Sequence, residues 1–140
     1  MSLSPSHPLV RFQDAFAQVT PGMRIDLAPL YADNVRFVDP FHQLSGRDAV
    51  QTYFSRIAKR LTWGEFDFGK PVLSKGAAAL PWTMRIKSRP YPKVFVIEGI
   101  SHMRYDERIT YHRDYFDLSA VIPDQIPGLG LVSRRAKAWV

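Results

Sequence analysis

The chain reads as an α+β protein in which helices at its start cover one face of a curved antiparallel sheet. Three observations predict this. Apolar residues recur at helical spacing as far as Leu61. The period then switches to two. The alternating segments are separated by short turn signals, so consecutive strands pair back on one another.

Pro8 suits the first turn of a helix, because its missing N–H would have no partner there. Leu9, Phe12, Phe16 and Val19 follow on one face, and Thr20-Pro21-Gly22 ends the run. Asp26 is placed to cap a short second helix carrying Leu27, Leu30 and Tyr31, before a strand over Asn34 to Val38. Ser45, with Asp48 three residues on, has the spacing of a capping box for a third helix. The stripe Val50, Tyr53, Phe54, Ile57 and Leu61 matches one face of that helix. Trp63 to Leu73, Ala77 to Ser88, Val94 to Tyr105 and Ile109 to Leu118 then read as long strands. Lys75-Gly76 and Asp106-Glu107-Arg108 look like tight connections between them.

Alternation assigns faces. Trp82, Met84 and Ile86 point one way and Thr83, Arg85 and Lys87 the other. In the next strand Phe95, Ile97, Gly99, Ser101, Met103 and Tyr105 share a face. In the last, His112, Asp114 and Phe116 oppose Tyr111, Arg113, Tyr115 and Asp117, and periodicity leaves open which set faces inward.

At 140 residues, 46% hydrophobic and 13% aromatic, the chain is long and apolar enough for one domain with a real core. We place that domain at 1–118 and a tail at 119–140. In the tail, Leu131, Val132, Ala136 and Trp139 against Arg134, Arg135 and Lys137 suggest one short amphipathic helix. It is expected to pack on its own domain or on a dimer mate rather than on membrane. The absence of cysteine excludes disulfides, thiolate metal sites and a cysteine nucleophile. No long apolar run and no signal-peptide pattern is present, so a cytoplasmic protein is expected. The net charge of +6 raises the question of nucleic acid. Its densest groups (Arg56, Lys59 and Arg60; Arg85, Lys87 and Arg89; Arg134, Arg135 and Lys137) are not interleaved with aromatics or glycines in a nucleic-acid signature. Most of them read as solvated faces, the alternative being an anionic small ligand or a weak surface partner. Neither a nucleic-acid nor a membrane partner is expected.

The stretch Val35-Arg36-Phe37-Val38-Asp39-Pro40-Phe41-His42 ends an apolar strand on an acid. Flanked by Phe37, Val38 and Phe41, Asp39 is a candidate proton acceptor in apolar surroundings. The alternative is that Asp39-Pro40 simply makes a turn.

Several local sequences, taken in this order, resemble the nuclear transport factor 2-like or SnoaL-like superfamily, which includes ketosteroid isomerases and polyketide cyclases. They are Leu27-Ala28-Pro29-Leu30-Tyr31-Ala32-Asp33-Asn34-Val35, Phe37-Val38-Asp39-Pro40, Gly46-Arg47-Asp48-Ala49-Val50, Ile100-Ser101-His102-Met103-Arg104-Tyr105 and Ile109-Thr110-Tyr111-His112-Arg113-Asp114. The resemblance implies a cone-shaped sheet, a hydrophobic cavity between helices and sheet, and a homodimer. It puts Asp39 where ketosteroid isomerases keep their general base, and it turns His112 and Asp114 into the cavity. The isomerases' oxyanion donors are not matched, since their tyrosine falls near Ala15 and Phe16 and their aspartate on Ser101. Steroid isomerisation itself is therefore not implied.

On that orientation the candidate catalytic residues are Asp39, His112 and Asp114. The candidate ligand-binding residues are Phe16, Phe41, His42, Tyr53, Trp82, Met84, Ser101 and Met103. No spacing specifies a metal site, no cofactor motif is present, and nothing resembles a nucleophile elbow. His112 and Asp114 are either an acid-base pair or a buried structural pair. Two functions remain open. One is a cofactor-independent enzyme that isomerises, cyclises, dehydrates or opens an epoxide in a small polyketide-, terpenoid- or steroid-like molecule. The other is a non-catalytic ligand-binding or protein-interaction module. Tyr111 and Tyr115, with Val94, Val96 and Ile100, suggest a dimer interface on the outer sheet face.

Overall fold

The computed structural model describes residues 3–90 and 93–117. The expected tail lies outside the described residues. Two helices and eight strands are present among the described residues: α1 (Pro8–Phe16), β1 (Gln18–Val19), β2 (Tyr31–Val38), β3 (Gln43–Ser45), α2 (Arg47–Arg60), β4 (Leu61–Phe68), β5 (Val72–Ser74), β6 (Ala77–Ser88), β7 (Phe95–Tyr105) and β8 (Ile109–Phe116). The strands form one sheet in the order β1-β4-β6-β7-β8-β2-β3, with β5 on the end of β6. Helices over a single curved sheet are the α+β layout read from the sequence.

The long strands β4, β6, β7 and β8 pair antiparallel in succession. The expected all-antiparallel sheet needs one correction. β2 lies parallel to β8, with Phe37 opposite His112 and Val38 opposite Arg113. This pairing joins segments more than seventy residues apart, and side-chain alternation carries no information about strand direction.

The expected second helix is a single turn. Asp26 Oδ1 accepts the Ala28 N–H at 3.0 Å, and the Leu30 and Tyr31 N–H groups bond to Leu27 O, after which the chain enters β2. α1 stops at Phe16, before Val19, because Gln18 and Val19 pair with Glu65 and Gly64. Ser45 does not cap α2. It ends β3 opposite Arg36, and the cap position is Gly46 at φ 91°, a left-handed conformation that suits glycine. The expected strand from Trp63 to Leu73 begins at Leu61 and breaks after Phe68. There Gly69 N–H bonds to Pro81 O, and Pro71 has no N–H to continue the ladder.

The inward faces are those that alternation predicts. Trp82, Ile86, Phe95, Ile97, Ser101 and Met103 are buried, whereas Lys87, Val96, Glu98 and Ile100 are exposed. One core cluster joins α1, the 27–30 turn and β2 around Tyr31, Phe37 and Met103. A second joins β4, β6 and β7 around Trp82. Among the described residues no helix is long and apolar enough to cross a membrane.

Candidate functional site

A cavity of roughly 200 Å³ opens between α2 and the concave sheet face. Its wall is mostly aromatic and aliphatic. Phe16, Phe41, Tyr53, Trp82, Met84 and Ser101 line it, as the sequence suggested, and so do Asp39, His112 and Asp114. Two expected lining residues do not reach it. Met103 is fully buried in the core beside its register partner His112. His42 is exposed at the turn after β2, where its ring packs 4.5 Å from that of Tyr53.

Asp39 is a turn residue and a cavity residue at once. Its Oδ1 accepts the Phe41 N–H at 2.8 Å and the His42 N–H at 2.7 Å, closing the turn after β2. Its Oδ2 accepts a short hydrogen bond from the Tyr53 hydroxyl, carried in from α2. The His42 Nδ1 lies 3.5 Å from Oδ1. Asp39 is thus held by three donors, with a side chain only 4% exposed. Burial, and then the bond to Asp39, push the Tyr53 hydroxyl well above the ordinary phenol range, so it remains a donor.

The second group centres on His112. Its ring is enclosed by Phe12, Phe37 and Tyr31, at centroid distances of 5.4, 5.0 and 6.0 Å. Nδ1 lies 2.7 Å from the Tyr31 hydroxyl, and Nε2 lies 2.6 Å from Asp114 Oδ1. Tyr31 is fully buried, and its hydroxyl proton has no other acceptor among the described residues. The phenol therefore donates to Nδ1, and Nε2 carries the ring proton and donates to Asp114. Burial, and then the negative charge of Asp114, hold the Tyr31 hydroxyl far above its ordinary range, which keeps it a donor.

Ser101 completes the group. Its hydroxyl donates to Asp114 Oδ1 at 2.5 Å and accepts the Trp82 Nε1–H at 2.8 Å. Serine, histidine and aspartate therefore meet here, but not as a nucleophilic triad. A triad places serine and carboxylate on opposite ring nitrogens. Here both lie on Nε2, with Ser101 Oγ at 3.3 Å, and the serine proton goes to the carboxylate. Both donors use Oδ1. Asp114 Oδ2 has no hydrogen-bond partner among the described residues, and the Asp114 side chain, 21% exposed, lines the cavity.

Sequence reasoning missed Tyr31 as a site residue. The signal was its period-two relation to Val35 and Phe37, which was hidden by assigning it to a helix and by the register shift between Tyr31 and Arg36. Among the described residues no group of three His, Asp or Glu side chains is placed to hold a metal ion.

A family model described as a SnoaL-like domain matches residues 10–112. The chain belongs to the SnoaL-like domain family. No curated protein matches this SnoaL-like chain closely enough to count as a relative. Among solved structures it is similar to a hypothetical Catenulispora acidiphila protein of ketosteroid isomerase-like fold in complex with trimethylamine. That match has TM-score 0.72 and 18% identity, covering 85% of this chain and 92% of that one. It is also similar to a candidate SnoaL-like polyketide cyclase from Shewanella putrefaciens (TM-score 0.69, 15% identity, 89% and 97% covered). A candidate isomerase from Rhodopseudomonas palustris matches with TM-score 0.69 and 18% identity, over 79% of this chain and 90% of that one. At these identities the likeness shows the fold.

Proposed function

We propose that this SnoaL-like protein takes a small hydrophobic, polar-tipped molecule into the cavity and converts it by acid-base chemistry, with Asp114 as the proton acceptor. The observation that carries this reading is the asymmetry of the Asp114 carboxylate. Oδ1 is anchored by His112 and Ser101, while Oδ2, on a residue that lines an apolar cavity, has no hydrogen-bond partner among the described residues. A base needs a free lone pair within reach of the substrate proton. Asp39, the residue singled out by resemblance, has its oxygens engaged by the turn and by Tyr53, so Asp114 is the better placed of the two.

In the simplest form Asp114 removes a proton from carbon next to a carbonyl and returns it at another carbon. That is isomerisation; in cyclisation the carbanion attacks a second carbonyl and the proton goes to the new alkoxide oxygen, and in dehydration it goes to the leaving hydroxyl, which departs as water. Gln51 and Ser55 bring amide and hydroxyl donors to the same cavity for the developing negative charge, while the Tyr53 proton is held by Asp39. His112 orients the carboxylate, and Tyr31 fixes the tautomer that lets it do so.

A second reading, a non-catalytic ligand-binding module, draws on the fact that Asp39, Tyr53, His112 and Ser101 all find partners within the protein. Incubating the protein in D₂O with a panel of cyclic and aryl ketones separates the two. Deuterium incorporation next to the carbonyl that is lost in Asp114→Asn supports catalysis. Saturable binding without exchange, equal in both proteins, supports the module. We also propose a homodimer through the outer sheet face, where Val96, Ile100 and Tyr115 are exposed.

A further inference from the structure

We propose that Gly99 and Trp82 are positioning residues that set the Asp114 carboxylate through Ser101, an inference that rests on the role given to Asp114 above. Trp82 on β6 and Gly99 on β7 are register partners, and both face the concave side. A Cβ at residue 99 would lie 2.5 Å from Cη2 and Cζ2 of the Trp82 indole and 2.7 Å from the Tyr115 carbonyl oxygen. Gly99 has no left-handed backbone angle, so glycine is needed there for space and not for conformation. The vacant side-chain position lets the indole lie across β7 and reach the residue two places along.

That residue is Ser101, which is opposite Asp114 across β7 and β8. A hydroxyl has one proton and is free to rotate. The Trp82 N–H, 2.8 Å from Oγ, occupies an acceptor position on the oxygen and turns the single proton toward Asp114 Oδ1 at 2.5 Å. Without the indole, Ser101 can instead turn a lone pair to the His112 Nε2–H, 3.3 Å away, and compete for the donor that anchors Asp114. The order of control is therefore space at Gly99, position of the indole, rotation of Ser101, and which oxygen of Asp114 is left free. Trp82 and Ser101 act here on Asp114 rather than on the ligand.

The test uses Trp82→Phe, which keeps a ring and loses the N–H, together with Ser101→Ala, their double variant and Gly99→Ala. Two readouts are taken: deuterium exchange into the ketone panel, and the ¹³C resonance of the Asp114 carboxyl carbon. Trp82→Phe and Ser101→Ala are each expected to lower kcat about tenfold with KM little changed, since Ser101→Ala removes a bond to the Asp114 carboxylate and Trp82→Phe removes the N–H that holds Ser101 to it. The double variant should lose no more than either single variant, because both act through one hydroxyl. Both should move the Asp114 carboxyl resonance in the same direction. Gly99→Ala should move it as well and alter the Trp82 indole N–H resonance. Multiplied losses in the double variant, or an Asp114 resonance indifferent to Trp82→Phe, overturn the proposal. If the wild type exchanges no ketone, the base role of Asp114 fails, while the carboxyl resonance still decides whether Trp82 and Ser101 hold it. If Gly99→Ala does not fold, the two polar variants decide alone.

Discussion

Replacing Tyr31 by Phe removes one oxygen atom from the middle of the protein and leaves the aromatic ring in place. Nothing is lost from the packing of the ring against Phe54 and His112. What changes is that His112 Nδ1, on a side chain 3% exposed and enclosed by aromatic rings, loses its 2.7 Å donor. A buried polar atom left without a partner costs roughly 1–3 kcal/mol. With about 2.1 cal/mol/K of unfolding entropy per residue, the 140-residue chain loses about 0.3 kcal/mol per degree. The melting temperature should therefore fall by about 3–10 °C. Denaturant unfolding should show the same loss as a lower midpoint with an unchanged slope. The ¹⁵N spectrum of the His112 ring should change as well, because the bond that assigns its proton to Nε2 is gone. Tyr111→Phe, on the outer face, is the control and should stay within about 0.5 kcal/mol of wild type. Equal stability of the Tyr31 and Tyr111 variants, with an unaltered His112 spectrum, would refute the hydrogen-bond accounting on which the orientation of Asp114 depends.

Three further outcomes are expected. Asp39→Asn keeps an oxygen for the Phe41 and His42 N–H groups and should fold like wild type, whereas Asp39→Leu strips both bonds and should lose about 2 kcal/mol in denaturant unfolding. The raised Tyr31 and Tyr53 hydroxyls add no pH dependence of their own to folding below about 10, where both phenols are protonated folded and unfolded. Above 10 only the unfolded chain releases these protons, so stability should fall by about 1.4 kcal/mol per pH unit for each phenol. A melting curve series from pH 8 to 11, less steep in the Tyr31→Phe variant, checks the sign. Sedimentation at micromolar concentration should give twice the chain mass, and Ile100→Lys on the exposed face should shift it to the monomer.

The parts of the fold that were legible are those governed by local period. Val50, Tyr53 and Phe54 repeat at helical spacing because α2 covers a sheet, and Trp82 and Ile86 alternate with Lys87 because β6 has one buried face. The 27–31 segment misled because Leu27, Leu30 and Tyr31 satisfy a helical period over a single turn, too short to tell a helix from a bend. The parallel pairing of β2 and β8 was invisible because it depends on which distant strands meet. It is also what carries Phe37, and with it Tyr31, to His112. Asp39 is legible as an acid among apolar neighbours, whereas His112 and Asp114 come to the cavity only through the family resemblance, because periodicity leaves the inward face of their strand open. Their division of labour was not legible, since it depends on which oxygen of each carboxylate is occupied. Gly99 gave no signal, because its part is the room it leaves for a side chain on another strand.

The decisive measurement compares Asp114→Asn with Asp39→Asn in the deuterium exchange assay, on a ketone that the wild type turns over. Each change removes one carboxylate and keeps the side-chain shape. Loss of a positioned base lowers kcat by about 10²–10⁴. The account predicts a loss of that size for Asp114→Asn and a change of no more than a few fold for Asp39→Asn, with both proteins folded. The reverse result, an inactive Asp39 variant beside an active Asp114 variant, would contradict it.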